Sequence, residues 1–166
     1  GKIDILVNNS GAFDGGPVDK ITVEQWNRVI GVNVTGMFLG IREVFPIMKR
    51  QGGGRIINIG SIAAQRARHS SVPYTTSKHA VWGLTQASAL EGRDFGIAVS
   101  CIHPGNTEVE RRSGGKSSTG RDEGPEPSIG TNDIGQTALI MATLPQGSNM
   151  LEAIVLPLSQ DYLGRG

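Results

Sequence analysis

At 166 residues the chain is long enough for one domain with a sizeable core, and its 37% hydrophobic and 19% charged content is that of a globular protein rather than a disordered one. Sixteen basic residues against fifteen acidic ones leave a formal net charge of +1. This argues against a nucleic-acid or anionic-membrane partner, which calls for a clear basic excess.

Residues 3–8, IDILVN, form a short apolar run ending in a polar residue, the pattern of a buried parallel strand. Residues 10–19 are rich in Gly, Asp and Pro and read as a loop. Thr22 followed by Gln25 resembles a capping box and starts a helix there. From that point Trp26, Ile30, Asn33, Met37, Ile41, Val44 and Met48 recur in steps of three or four and share one face. Asn33 is the only polar member of the stripe, and a buried amide must find partners. Two readings stand: a structural amide satisfied by its surroundings, or a residue that places water or backbone near a site.

The glycines of residues 51–54 end the helix. Residues 55–60, RIINIG, are a second strand with Ser61 at its C-terminal end, and residues 70–93 a second long helical segment. Residues 97–102 are a third strand, stopped by His103-Pro104-Gly105. His103 is a candidate to lie near a site; His79 and the tryptophans Trp26 and Trp82 read as surface and packing residues. Residues 106–130, full of Gly, Ser, Pro and charges, are too long for a plain connection and are a candidate substrate lid. Residues 131–144 are a third helix with Ile134, Ala138 and Met141 on one face, and residues 151–156 a fourth strand.

Strands alternating with helices imply a doubly wound α/β fold, a parallel sheet with helices on both faces, in a single domain over residues 1–166. Ligands in such sheets bind beyond the C-terminal strand ends, where Ser61 and Pro104-Gly105 fall. Cys101, the only cysteine, excludes an intrachain disulfide and fits a reducing compartment; with no metal-ligand cluster around it, it reads as a small buried hydrophobe. The expected location is cytoplasmic, because no run of about 18 apolar residues and no signal peptide is visible. The basic pairs Arg66/Arg68 and Arg111/Arg112 read as solvated surface. The first methionine is Met37, so residues upstream of Gly1 are expected to have been lost.

Tyr74 and Lys78 are four apart and on a helix point the same way. An ammonium near a phenol favours the phenolate, and a phenol so assisted can exchange a proton with a carbonyl or alcohol oxygen. A serine hydroxyl aimed at the same oxygen shares the developing charge, and Ser61 is the candidate.

Taken together these motifs resemble the short-chain dehydrogenase/reductase family over residues 3–156. Asp4 with Asn8-Asn9-Ser10-Gly11 is similar to the family's Asp and Asn-Asn-Ala-Gly element. Val32-Asn33-Val34-Thr35-Gly36 resembles its helix motif, Ile59-Gly60-Ser61 the strand ending in the catalytic Ser, and Tyr74-Thr75-Thr76-Ser77-Lys78 its Tyr-x-x-x-Lys motif. Pro104-Gly105 resembles the turn beside the nicotinamide. The resemblance implies a Rossmann-like fold and hydride transfer between NAD or NADP and a small carbonyl or alcohol substrate. Tyr74 would be the general acid/base, Lys78 would assist it and hydrogen-bond the nicotinamide ribose, and Ser61 would orient the substrate oxygen. Asn33 would help hold a water linking Lys78 to solvent. Asn8, Ser10 and Gly11 would lie along the cofactor, with Tyr74 and Lys78, and Pro104, Gly105 and Thr107 near its nicotinamide. No metal is implied. A homodimer or homotetramer through the two long helices is implied as well.

The sequence departs from the family pattern in three places. Ser10 replaces Ala, and Thr107 and Val109 stand where a hydrophobic residue and a Thr are usual. The family's first three strands and Gly-rich turn have no counterpart here. The strand at residues 3–8 is therefore expected to be an exposed apolar edge, and the isolated 166 residues are expected neither to bind cofactor tightly nor to turn over. Two further readings are a non-catalytic nucleotide-binding or scaffold homologue, which has no need of Asn33, Ser61, Tyr74 and Lys78 together, and a Ser61 hydrolase, which lacks the Gly-x-Ser-x-Gly elbow.

Overall fold

The computed structural model describes residues 1–108 and 126–163. Four strands, β1 (Ile5–Asn8), β2 (Gly54–Ile59), β3 (Ile97–Pro104) and β4 (Glu152–Val155), lie in the order β1-β2-β3-β4, each neighbouring pair parallel. Parallel neighbours need crossovers, and helices supply them. The helical run Val23–Gln51 joins β1 to β2, α3 (Val72–Gly92) joins β2 to β3, and α4 (Thr131–Thr143) precedes β4.

Strand alternation sorts the core into two layers. Ile56, Val99 and Cys101 face the helix residues Met37, Ile41, Val44, Met48 and Val81. Ile57 and Ile102, each one position out of phase with that set, face Met141 of α4, with Ile134 and Ala138 beside it. This is the doubly wound parallel α/β architecture read from the sequence.

The capping box forms as expected: the Thr22 hydroxyl accepts from the Gln25 N–H at 3.2 Å, and the Gln25 side chain accepts from the Thr22 N–H at 2.9 Å. The run comprises α1 (Val23–Ile30), a π-turn (Gly31–Thr35) and α2 (Gly36–Gln51), closed by Gly52 at φ 83°, a left-handed position that suits glycine. The π-turn corrects the stripe. Asn33, Met37, Ile41, Val44 and Met48 are buried as expected, but upstream the buried residue is Val29, with Trp26 and Ile30 only half-buried. A wider turn rotates less per residue, so the buried face before it is offset by one position.

That run is also a correction on membranes. It is 29 residues long and holds an 18-residue window with a mean hydropathy of 1.2, long and apolar enough to cross a bilayer by length and composition alone. Here its Met37, Ile41, Val44 and Met48 are buried in the core against β2, β3 and α3.

β3 continues two residues past the expected stop. Its ladder with β2 ends at Ile102, and beyond it only β4 pairs, through Pro104↔Val155, so the missing proline N–H breaks no bond to β2. The ends of the 106–130 stretch are also tied together: Thr107 and Ile129 form a parallel bridge, with Glu108 N–H to Ile129 O and Ile129 N–H to Asn106 O, each 2.9 Å. The lid reading and the Arg111/Arg112 pair fall on residues 109–125, outside the described residues. β1 stands at the sheet edge, with Ile5 46% and Val7 48% exposed.

Candidate active site

The C-terminal ends of the first three strands open into a cavity of about 930 Å³. Ser61 follows β2 directly. Its hydroxyl oxygen accepts from the Ala63 N–H at 3.1 Å and so caps the short 3₁₀ turn Ile62–Ala64. That bond uses a lone pair and leaves the hydroxyl proton free to be donated.

Tyr74 lies in the first turn of α3, which Pro73 helps to start. Its ring is half-buried against Phe13, with centroids 5.2 Å apart and planes at 54°. Lys78 follows one turn later on the same face and is buried. Its Nζ donates to the Ile59 carbonyl at 2.9 Å and stands 5.5 Å from the centre of the Tyr74 ring, within cation–π range. Ser61, Tyr74 and Lys78 all line the cavity, as do Gly11, Pro104, Gly105 and Thr107. Thr107 turns its hydroxyl onto the Gly105 carbonyl at 3.2 Å. A Cβ at Gly105 would meet the side-chain ends of Gln160 and Leu156, which would have to shift, and would press on Pro157.

Asn33 does not line the cavity; it is wholly buried behind it. Its Oδ1 accepts from the Ala12 N–H at 2.7 Å, and its Nδ2 donates to the Ala12 carbonyl and to Ser77 Oγ, both at 2.9 Å. Ser77 in turn donates to the Tyr74 carbonyl at 2.7 Å. Both amide hydrogens of Asn33 are thus used within the protein.

Asn8 and Ser10, expected along a cofactor, are not among the lining residues. Alternation along β1 explains Asn8. Leu6 and Asn8 point toward α2, where Gly40 leaves space that a Cβ would close at 2.8 Å from Asn8 Oδ1. There Asn8 Nδ2 donates to Asn58 Oδ1 at 2.9 Å, inside the fold. Neighbouring residues take the places at the cavity: Val7, Asn9 and Phe13 on the β1 side, and Arg66 and Arg68 beyond Ser61. Arg68 is paired with Glu126 and reaches Asn106 Oδ1 at 3.5 Å. Arg66 and Arg68 had stood out in the sequence only as a basic pair, and Phe13 carried no sequence signal.

His103 lies beneath Ser61 rather than in the cavity. Burial holds its imidazole below the ordinary range; the Ser61 carbonyl and the Glu152 carboxylate act in the opposite sense, and the Lys78 ammonium with burial. Cys101 is buried, and its thiol is pushed up to about 11, chiefly by burial, which makes it a poor nucleophile. Among the described residues no group of three or more His, Cys, Asp or Glu is placed to hold a metal ion. His79 is exposed, its ring nitrogen 3.0 Å from the Thr75 carbonyl. A phenol, a hydroxyl and an ammonium around one cavity can exchange a proton with a bound oxygen and stabilise negative charge on it.

Residues 1–118 match the family model described as short chain dehydrogenase. The chain is 45% identical over 105 residues to the 3-alpha-(or 20-beta)-hydroxysteroid dehydrogenase of Mycobacterium tuberculosis, covering 63% of this chain and 40% of that protein. It is 43% identical over 113 residues to the acetoacetyl-CoA reductase of Rhizobium meliloti, covering 67% and 47%. It therefore spans less than half the length of either relative. Among solved structures, a gluconate 5-dehydrogenase from Burkholderia cenocepacia in complex with NADP and tartrate superposes with a TM-score of 0.83 at 28% identity, covering 95% of this chain and 64% of that one.

Proposed function

We propose that this chain, which belongs to the short-chain dehydrogenase family, is the catalytic part of an oxidoreductase that moves a hydride between NAD or NADP and a carbonyl or alcohol carbon. The observation that carries the reading is the convergence of Ser61, Tyr74 and Lys78 on one cavity at the strand ends.

The residues present fit the nicotinamide half of such a cofactor. Lys78 offers an ammonium for ribose hydroxyls, Gly11 offers backbone without a side chain, and Pro104 and Gly105 form a wall beside Thr107. When bound, the cofactor supplies or accepts the hydride.

The protein's own groups handle the proton. In reduction the Tyr74 hydroxyl gives its proton to the substrate oxygen as charge develops there, and the Ser61 hydroxyl donates a hydrogen bond to the same atom. Lys78 stabilises the phenolate that Tyr74 becomes. In oxidation the same phenolate takes the alcohol proton. Asn33 acts through Ser77 on the turn that carries Tyr74. Because both its amide hydrogens are in use, the Asn33 amide nitrogen does not donate to a water linking Lys78 to solvent. Phe38 and Leu39 of α2, 45% and 41% exposed, support pairing with a second copy of the chain.

The test follows NADH and NADPH absorbance with a panel of ketones and alcohols, using the gene product and its Tyr74→Phe variant. A fall in turnover of roughly 10²-fold or more is expected of Tyr74→Phe, the scale of general acid–base catalysis. Turnover that survives Tyr74→Phe would remove the acid/base assignment. Cofactor binding without turnover on any substrate would favour the scaffold reading.

A further inference from the structure

His103 is wholly buried at the penultimate position of β3 and is unused by the chemistry above. Its Nδ1 stands 2.9 Å from the carbonyl oxygen of Ser61 and 3.4 Å from the Ser61 backbone nitrogen. One ring nitrogen thus faces both polar groups of a single residue's backbone. Gly60 makes the approach possible, because a Cβ there would lie 2.7 Å from His103 Nδ1. Trp82 holds the ring edge-on from α3, with centroids 5.5 Å apart. On the far side, Nε2 is buried without a hydrogen bond, 3.4 Å from Glu152 Oε1 on β4. Glu152 is itself tied to the segment after Ser61, since Gln65 Nε2 donates to the same carboxylate oxygen at 2.5 Å.

A neutral imidazole carries one N–H, so two arrangements compete. With the proton on Nδ1, the ring donates to the Ser61 carbonyl at 2.9 Å, a normal hydrogen-bond length. With the proton on Nε2, it faces Glu152 across 3.4 Å and leaves Nδ1 to accept from the Ser61 N–H, also across 3.4 Å. The first makes one good bond but leaves the Ser61 N–H without this acceptor and turns the Nε2 lone pair toward the carboxylate; the second makes two long bonds but sets the Nδ1 lone pair against the Ser61 carbonyl at 2.9 Å. We propose that His103 is a positioning residue for Ser61. It keeps its single proton on Nδ1 and donates it to the Ser61 carbonyl. This fixes the peptide from which the Ser61 hydroxyl enters the cavity, while Glu152 is the group that competes for that proton.

The groups facing the ring from each packed element agree with a neutral imidazole at pH 7. Lys78 from α3 opposes a positive charge, and Cys101, on the same strand, is an un-ionised thiol. β2 and the turn after it present only the backbone of Gly60 and Ser61; the Ser61 carbonyl and Glu152 from β4 favour a second proton, and burial with Lys78 opposes it. The importance of the contact rests on the role given to Ser61 above; the contact itself does not.

The tautomer is read directly from long-range ¹⁵N–¹H correlations of the full chain labelled at its three histidines, with His69→Gln and His79→Gln used for assignment. His103 is expected to show a protonated Nδ1 and an unprotonated Nε2 at pH 7.5, and to keep them in Glu152→Gln, where the competing carboxylate is gone. His103→Asn, whose amide can still donate to the Ser61 carbonyl, is expected to leave the Ser61 and Ala63 amide resonances near their wild-type positions. His103→Leu is expected to shift both. A proton on Nε2 in the wild type, or equal displacement of the Ser61 resonance by Asn and Leu, would overturn the proposal. If His103→Leu does not fold, the wild-type tautomer and the Asn variant decide alone. None of these readouts needs cofactor or turnover, so failure of the dehydrogenase reading would leave them interpretable.

Discussion

Two fully buried asparagines organise two different parts of this molecule. Asn33, in the π-turn, binds both backbone groups of Ala12 and, through Ser77, the first turn of α3 that carries Tyr74. Asn58, the penultimate residue of β2, accepts from Asn8 and donates to Thr85 at 3.0 Å, and Thr85 closes the chain on the Val81 carbonyl at 2.8 Å. Each amide is satisfied, as burial requires. The difference lies in where the networks end. One ends on a loop and a turn at the cavity, the other within sheet and helix. A buried amide is therefore explained by what stands at the far ends of its hydrogen bonds, not by its burial.

The contrast is sharpest in the truncations. Asn33→Ala strands the Ala12 N–H and carbonyl and removes a partner from Ser77, so a stability loss of about 3 kcal/mol is expected from urea unfolding. It should also lower kcat by loosening the turn under Tyr74. Asn58→Ala leaves only the half-buried Asn8 amide and one bond of Thr85 unmet, and about 1–2 kcal/mol is expected, with kcat unchanged. If Asn58→Ala lowered kcat as far as Asn33→Ala, the division into a site network and a structural one would fail.

The sequence carried one half of this contrast and hid the other. Asn33 was visible as the single polar residue on an apolar stripe, because a 3.6-residue period is local and easily read. The capping box at Thr22 and the strands around Ile56 and Val99 were legible for the same reason, as were Ser61 at a strand end and Tyr74 one turn before Lys78. The π-turn was not, since i→i+5 bonding leaves no compositional mark, and with it went the one-position offset that buries Val29 instead of Trp26 and Ile30. Asn8 was expected at the cavity. Its direction depends on which parity of β1 faces α2 and on the space left by Gly40, a contact 32 positions away. The Phe13–Tyr74 and His103–Ser61 contacts are likewise long-range, and periodicity says nothing about them.

His103 supplies a third buried polar group, and unlike the amides it titrates. Its folded pKa lies below the ordinary value of 6.5 because burial disfavours the charged ring. As pH falls, the unfolded chain takes up this proton first. The contribution to stability is therefore complete above about 6.5 and is lost as pH falls through that value toward the folded pKa. His103→Asn, which cannot titrate, should flatten this part of the curve when unfolding midpoints are compared between pH 7.5 and pH 5. The Asn33 and Asn58 variants should keep the wild-type slope while shifting the whole curve down. An unchanged slope in His103→Asn would mean that the acid sensitivity arises elsewhere.

The smallest effect is expected where no buried network exists. On β1, Asn8 turns inward to Asn58, while Ile5, three residues earlier, falls on the opposite parity and is 46% exposed. Ile5→Thr keeps a β-branched side chain suited to a strand and buries no new polar group, so a change within about 0.5 kcal/mol is expected. The same exchange at Val99, wholly buried on β3, would place a hydroxyl in the core and should cost about 1–3 kcal/mol. A loss at Ile5 larger than that of Asn58→Ala would mean that this side chain is covered in solution. Sedimentation of the wild type and of Ile5→Thr would then show whether a second copy supplies the cover, since a dimer held through β1 would fall apart in the variant. A monomer in both, with a small stability change, would leave the burial of polar groups, rather than the apolar content of the strand, as what separates the tolerant parts of this sheet from the intolerant ones.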